Sequence, residues 1–316
     1  MELSRFARPH HVHPGRRHLS HLPTHPTRTH DVRIGGMNLG EFLAQKKETC
    51  DVLDAQVLLA HVIGHPRTWL LAHLESPLTP PQADSATQAF ARLEAGEPLP
   101  YILGHWEFYG LDFDITPDVL IPRPETELLV EKAIRWLNAA PERRTVADVG
   151  TGSGIIAVSI AMHVPGVNIL ATDISQATLK VAKRNAKKFD VSHRINFLQC
   201  DLLPKHIDPL PTESHFDLIC ANLPYIPTDT LRDLPIFGRE PTLALDGGAD
   251  GLELYRRLLT LSVDWLAPKG SILLEIEASQ GMSALSMAYD MLSAATIQLH
   301  KDLAGQNRLL EIHLHE

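Results

Sequence analysis

The sequence predicts an α/β protein: a parallel sheet covered by helices on both faces, preceded by a small helical module and a β-hairpin. Three observations predict it. From about residue 120 onward, short apolar runs alternate with helical patterns. A glycine-rich turn, Gly150-Thr151-Gly152-Ser153-Gly154, joins one such run to an apolar helix. Upstream, residues 37–96 carry helical periodicity alone. The 316 residues, 44% hydrophobic and 21% charged, suit a chain of two domains.

Charge and cysteine usage narrow the function classes. Lys+Arg number 29 and Asp+Glu 38, a net charge of −9, which argues against affinity built mainly on phosphate neutralisation. No uninterrupted apolar run approaches the ~20 residues that span a bilayer. Cys50, Cys200 and Cys220 are far apart and without metal-ligand spacing, so neither a disulfide scaffold nor a zinc site is expected, and a reducing, cytoplasmic setting fits.

Taken in order, residues 1–36 hold seven histidines (His10, His11, His13, His18, His21, His25 and His30) and few large apolar side chains. Such a stretch cannot bury enough surface to offset its chain entropy. It reads as a disordered His-rich leader, or as sequence upstream of a start at Met37, rather than as a metal tract. It has no apolar core of the secretory kind.

Residues 37–98 form the helical module. Leu39, Phe42 and Leu43 open one stripe; Val52, Ala55, Leu59, Val62 and Ile63 continue at helical spacing, and Gly64 stops it. Thr79-Pro80-Pro81-Gln82 has the capping-box pattern with proline at the first helical position. Residues 99–118, with Tyr101, Trp106, Phe108, Tyr109 and Phe113 around Gly104 and Gly110, read as a hairpin linker.

Residues 119–316 form the α/β domain. Strands are expected at Thr145–Val149, Val167–Thr172, Arg194–Gln199, Phe216–Ala221 and Ser271–Ile276. A glycine turn at the end of the first strand lets a ligand approach the backbone, and the following helix offers free N–H groups. The spacing G-x-G-x-G differs from the G-x-G-x-x-G of dinucleotide dehydrogenases. Asp173 closes the second strand about 20 residues later, where a carboxylate can accept from both hydroxyls of a ribose. After the third strand come Asp201 and Leu202.

Asn222-Leu223-Pro224-Tyr225 follows the fourth strand and resembles the N-P-P-Y motif of enzymes that methylate planar amide or amino nitrogens, which implies a way of activating such a nitrogen. A planar amide or amino nitrogen is a poor nucleophile because its lone pair is delocalised. A site helps by accepting both N–H hydrogens, so that density builds on nitrogen. The Asn222 side-chain oxygen and the Leu223 carbonyl are candidate acceptors, and Tyr225 can hold the flat group face-on. Acceptors fixed in a dry pocket stabilise the positive charge arising on nitrogen. The chemistry requires no metal.

D-x-G-T-G-S-G with Asp173 resembles the S-adenosylmethionine site of the Rossmann-like class I methyltransferases. Asn222–Tyr225 resembles their N-P-P-Y motif, with Leu223 where the family has proline. The acceptor carbonyl survives that change, and Pro224 still favours extended geometry at 223; the locked φ is lost. From Met37 onward the chain is similar to the release factor glutamine N5-methyltransferase family (the HemK/PrmC type). The carrying segments are Glu97–Gly104, Val119–Glu127, the glycine turn, Asn222–Tyr225, Glu240-Pro241, Leu243–Gly248 with Asp250-Gly251-Leu252, and Asp302–Gly305. Arg123-Pro124-Glu125-Thr126-Glu127 separates this family from a relative that modifies a ribosomal protein.

The resemblance implies S-adenosylmethionine as methyl donor, held by Gly150–Gly154, Asp173, Asp201, Leu202 and Asn222. It implies the glutamine of the Gly-Gly-Gln motif in class 1 peptide chain release factors as substrate, gripped partly by the helical module, and a monomeric enzyme. Arg123, Glu125 and Glu127 either shape the pocket wall or form an ion pair at a helix start. Two alternatives remain: an adenine N6-methyltransferase of nucleic acid, and a scaffold that binds the cofactor without turnover. The first wants a basic stripe, but Lys180, Lys183, Arg184, Lys187 and Lys188 read as the solvated face of one helix.

Overall fold

Helix caps written in the sequence organise the first domain of the structure, a computed structural model that describes residues 36–204 and 215–315. The expected leader at 1–36 lies outside the described residues except for Gly36. Helix α1 (Leu39–Lys46) starts on a capping box between Asn38 and Glu41. Asp51 caps α2 (Val52–Ile63), which stops at Gly64 with φ 71°. A short α3 (Arg67–Ala72), not anticipated, follows Pro66. Thr79 and Gln82 form the expected capping box of α4 (Pro80–Glu94). The apolar faces meet in one core in which Leu58, Leu59 and Phe90 are fully buried. Each such side chain contributes about 2 kcal/mol of hydrophobic stabilisation.

The linker differs from the hairpin expected over its whole length. Helix α5 (Leu99–Leu103) comes first, and only then strands β1 (His105–Phe108) and β2 (Leu111–Asp114). Prolines 98 and 100 pre-set helical entry, and Gly104, at φ 78°, ends the turn. The helix aims Tyr101 inward, where its hydroxyl donates to the Val119 carbonyl at 2.7 Å. Tyr109 and Gly110 both have positive φ, 52° and 72°, as a two-residue hairpin turn requires.

The second domain begins with α6 (Glu127–Asn138) and builds a seven-stranded sheet. Its strands are β3 (Thr145–Val149), β4 (Asn168–Asp173), β5 (Ile195–Gln199), β6 (Phe216–Ala221), β7 (Leu266–Glu275), β8 (Thr296–Lys301) and β9 (Asn307–His313). The spatial order is β5-β4-β3-β6-β7-β9-β8. Period-two alternation sorts the strand residues between two cores. Val146, Leu218 and Cys220 face α6, α7 (Ile155–His163) and α8 (Gln176–Lys188). Ala147, Ile219 and Ala221 face α10 (Glu253–Ser262) and α11 (Gly281–Met291). A short α9 (Thr228–Leu231) lies in the loop after β6.

One part of the sheet departs from the expected parallel arrangement. Strand β9 runs antiparallel to both β7 and β8. The tight turn Asp302–Gly305 causes it: Asp302 accepts from the backbone N–H groups of Ala304 and Gln306 and folds β8 straight back on β9. A parallel neighbour would need a crossover of a dozen residues or more.

Candidate active site

The carboxyl ends of β3, β4 and β6 open on a cavity of about 350 Å³, in the range of small-molecule sites. The glycine turn forms its floor. Gly150 and Thr151 donate to the Thr172 carbonyl at 2.9 and 2.8 Å, tying the turn to β4. Asp148, fully buried, accepts from the Thr151 hydroxyl at 2.6 Å and the Ala157 N–H at 3.1 Å. Burial pushes its pKa up to about 7 against those two hydrogen bonds. Gly150, at φ 73°, is also a close approach: a Cβ there would sit 2.9 Å from Leu223 Cδ2. The Leu223 side chain therefore packs on the turn itself.

Asp173 accepts from Gly152 N–H at 3.1 Å and Ser175 N–H at 2.9 Å. Burial raises its pKa, and those backbone donors oppose the rise. Asp201 stands on the cavity rim with its carboxylate 2.5 Å from Arg257 of α10. Leu202 has φ 61°, a conformation that costs a leucine about 1–2 kcal/mol. The Thr172 hydroxyl holds it there by donating to the Leu202 carbonyl at 2.7 Å.

Asn222 and Leu223 face the same cavity. The Asn222 amide nitrogen donates to the Thr126 hydroxyl oxygen at 3.0 Å. The Leu223 carbonyl accepts from the buried Tyr255 hydroxyl at 3.0 Å. One lone pair of that oxygen is still available, since a carbonyl has two. The loop 246–251 lies against the tetrapeptide, and Gly251 makes this possible: a Cβ there would be 2.1 Å from the Tyr225 carbonyl oxygen. Gln280 donates to the same carbonyl at 2.8 Å.

Of the residues singled out from sequence, Gly150, Thr151, Gly152, Ser153, Asp173, Asp201, Leu202, Asn222, Leu223 and Pro224 come together around the cavity. Gly154 lies behind it, at the start of α7 against Ala182. Tyr225 also lies behind the lining, in the core beside α10 and α11, where burial raises its phenol pKa. Arg123 lines the wall and ion-pairs with the buried Glu240 at 2.6 Å. Glu125 is not part of the wall, and Glu127 instead accepts from the Tyr109 N–H at 3.0 Å. Sequence reading missed Thr126, Thr178 and Arg257. Thr126 sits inside a quoted motif; Thr178 and Arg257 lie on ordinary helices with no local signal. The basic residues of α8 are partly neutralised, because Arg184 pairs with Asp114 and Lys188 with Asp112 and Asp114 of β2.

Residues 38–104 match the PrmC N-terminal domain, and residues 129–233 match the ribosomal protein L11 methyltransferase (PrmA) family. A release factor glutamine methyltransferase of Moorella thermoacetica is 45% identical over 81% of this chain and 89% of its own length. One from Bordetella pertussis is 40% identical over 81% and 93%. Among solved structures, the hMettl16 catalytic domain in complex with an RNA hairpin superposes with a TM-score of 0.52 at 16% identity, over 88% of this chain and 92% of that one; this likeness is one of fold alone. The chain thus has the fold of a class I methyltransferase and, by its identity to these relatives across both domains, belongs to the release factor glutamine methyltransferase family.

Proposed function

We propose that the protein transfers a methyl group from S-adenosylmethionine to the side-chain amide nitrogen of the glutamine in the Gly-Gly-Gln motif of class 1 peptide chain release factors. The observation that carries this reading is the Asn222 amide. Its nitrogen is engaged by Thr126 at 3.0 Å, which leaves its oxygen as the end that accepts a substrate N–H.

The residues around the cavity fit the methyl donor. The position where a Cβ of Gly152 would stand is open, with no atom closer than 4.0 Å, so a ligand can approach the backbone there. Gly150–Gly154 and the start of α7 would hold the amino-acid end, Asp173 the ribose hydroxyls, and Asp201 and Leu202 the base. When bound, S-adenosylmethionine would supply an electrophilic methyl carbon and leave as S-adenosylhomocysteine, and the amide nitrogen that takes the methyl would give up one of its two protons to solvent.

The chain's own residues then prepare the nucleophile. Asn222 Oδ1 and the Leu223 carbonyl oxygen accept the two amide hydrogens, and Pro224 shapes the face on which the flat group rests, with Tyr225 packed behind it rather than against the group itself. Fixed acceptors avoid the reorganisation that water would need as charge develops on nitrogen. The domain at residues 37–98 grips the release factor, and the protein acts as a cytoplasmic monomer. No helix among the described residues is long and apolar enough to cross a membrane.

The test is methyl transfer from labelled donor to purified release factor, to the same factor with its Gly-Gly-Gln glutamine replaced by alanine, and to DNA. Label on the intact factor alone is expected. Label on DNA with none on the factor would overturn the reading in favour of an adenine methyltransferase.

A further inference from the structure

Glu275 closes β7 and is 1% exposed; neither of its carboxylate oxygens has a hydrogen-bond partner within 3.5 Å, and the side-chain donors that act on it are the Thr126 hydroxyl and the Asn222 amide. An unpaired buried carboxylate is costly. The groups that face it come from four places outside β7. Thr126 and Glu125 belong to the turn before α6, Asn222 and Tyr225 follow β6, Tyr255 is on α10 and Arg308 on β9. Thr126, also fully buried, is the residue that accepts from the Asn222 amide nitrogen.

The two ends of an asparagine amide are nearly equal in size, so only its partners decide which end faces a cavity. A hydroxyl cannot decide, because it both donates and accepts. An ionised carboxylate only accepts. With Glu275 ionised, the Thr126 proton is drawn to Glu275, and the Thr126 oxygen is left to accept. Asn222 must then turn its nitrogen inward and its oxygen to the cavity.

We infer that Glu275, acting through Thr126, is the positioning residue that fixes the acceptor end of Asn222 toward the substrate amide. This rests on the function proposed above. Protonated Glu275 can donate to Thr126, whose own proton then allows the Asn222 oxygen to turn inward. Burial pushes the Glu275 pKa up to about 7, with Thr126, Arg308 and Asn222 opposing the rise and Glu125 adding to it.

The experiment measures kcat from pH 6 to 9, at saturating donor and release factor, for wild type, Glu275→Gln, Thr126→Val and Thr126→Ser. Wild-type kcat should rise through pH ~7 and level off. Glu275→Gln, whose neutral amide offers Thr126 either a donor or an acceptor, should lose about tenfold or more at pH 8, with a flat profile and donor Kd within about twofold. Thr126→Val should lose comparably, and Thr126→Ser should recover most of that loss. Asp148 titrates in the same range but sits under the glycine turn, so its proton registers in donor Kd, measured separately by calorimetry. Wild-type kcat and pH profile in Glu275→Gln would overturn the inference. If that variant does not fold, the same result in Thr126→Val overturns it. Failure of wild type to methylate release factor at any pH would sink the functional reading instead.

Discussion

The Tyr255 hydroxyl lies 3.0 Å from the carbonyl oxygen of Leu223 and 2.5 Å from that of Glu275, so one buried phenol ties the ends of β6 and β7 together. It has a single proton to share between them. That tie stands where the family's proline would otherwise lock the backbone. Tyr255→Phe should therefore lower stability by about 1–2 kcal/mol and kcat by about three- to tenfold, with donor affinity unchanged. Thermal melts and steady-state kinetics check it; unaltered kcat would show that the Leu223 carbonyl is held by its own chain alone.

Asn222→Ala removes the proposed acceptor without touching the glycine turn. Its kcat should fall by about 10² or more, as for loss of one fixed charge-stabilising group. Donor Kd, read by calorimetry, should stay within about twofold. Unchanged turnover would mean the substrate amide is held elsewhere.

Asp173→Ala should show the reverse split. The Gly152 and Ser175 N–H groups lose their acceptor, and the proposed ribose partner disappears. Donor Kd should rise about tenfold or more, while kcat at saturating donor changes much less. Tight donor binding in this variant would count against the ribose assignment.

Gly251→Ala tests the loop that backs the tetrapeptide. Its Cβ would meet the Tyr225 carbonyl oxygen at 2.1 Å and Gln280 Nε2 at 2.3 Å, on a residue with φ 75°. The Gln280 side-chain end can swing aside but the Tyr225 carbonyl is main chain, so a loss of about 2–4 kcal/mol is expected. Denaturant unfolding measures it, and a neutral result would show that the loop is free to move.

Stability should depend on pH through the two buried carboxyls. The folded pKa values of Asp148 and Glu275 are both raised to about 7, from ordinary values of 3.8 and 4.5. Below the ordinary values both groups are protonated in either state, and there is no difference. As pH rises toward 7 the unfolded chain gives up its protons first, so stability falls. Glu275→Gln should gain on wild type by up to about 3 kcal/mol between pH 4.5 and pH 8. Urea melts at the two pH values decide it, and an equal difference at both would mean that Glu275 is not held above its ordinary pKa.

Local sequence determined what local physics controls. The Thr79 cap, the stop at Gly64 and the turn at Gly150–Gly154 depend on residues within a few positions of one another, so spacing alone reveals them; the Asn38 and Asp51 caps are equally local but emerged only in the structure. The same holds for the strand alternation that sends Val146 and Ala147 to opposite cores. Tertiary structure decided the rest. The Asn222–Thr126 bond joins residues 96 apart, and Arg257 reaches Asp201 across 56. The placing of β9 between β7 and β8 is likewise a long-range choice. Such contacts form only when the sheet brings distant strand ends to one edge, and a buried carboxylate such as Glu275 looks like any other glutamate until its neighbours exclude water.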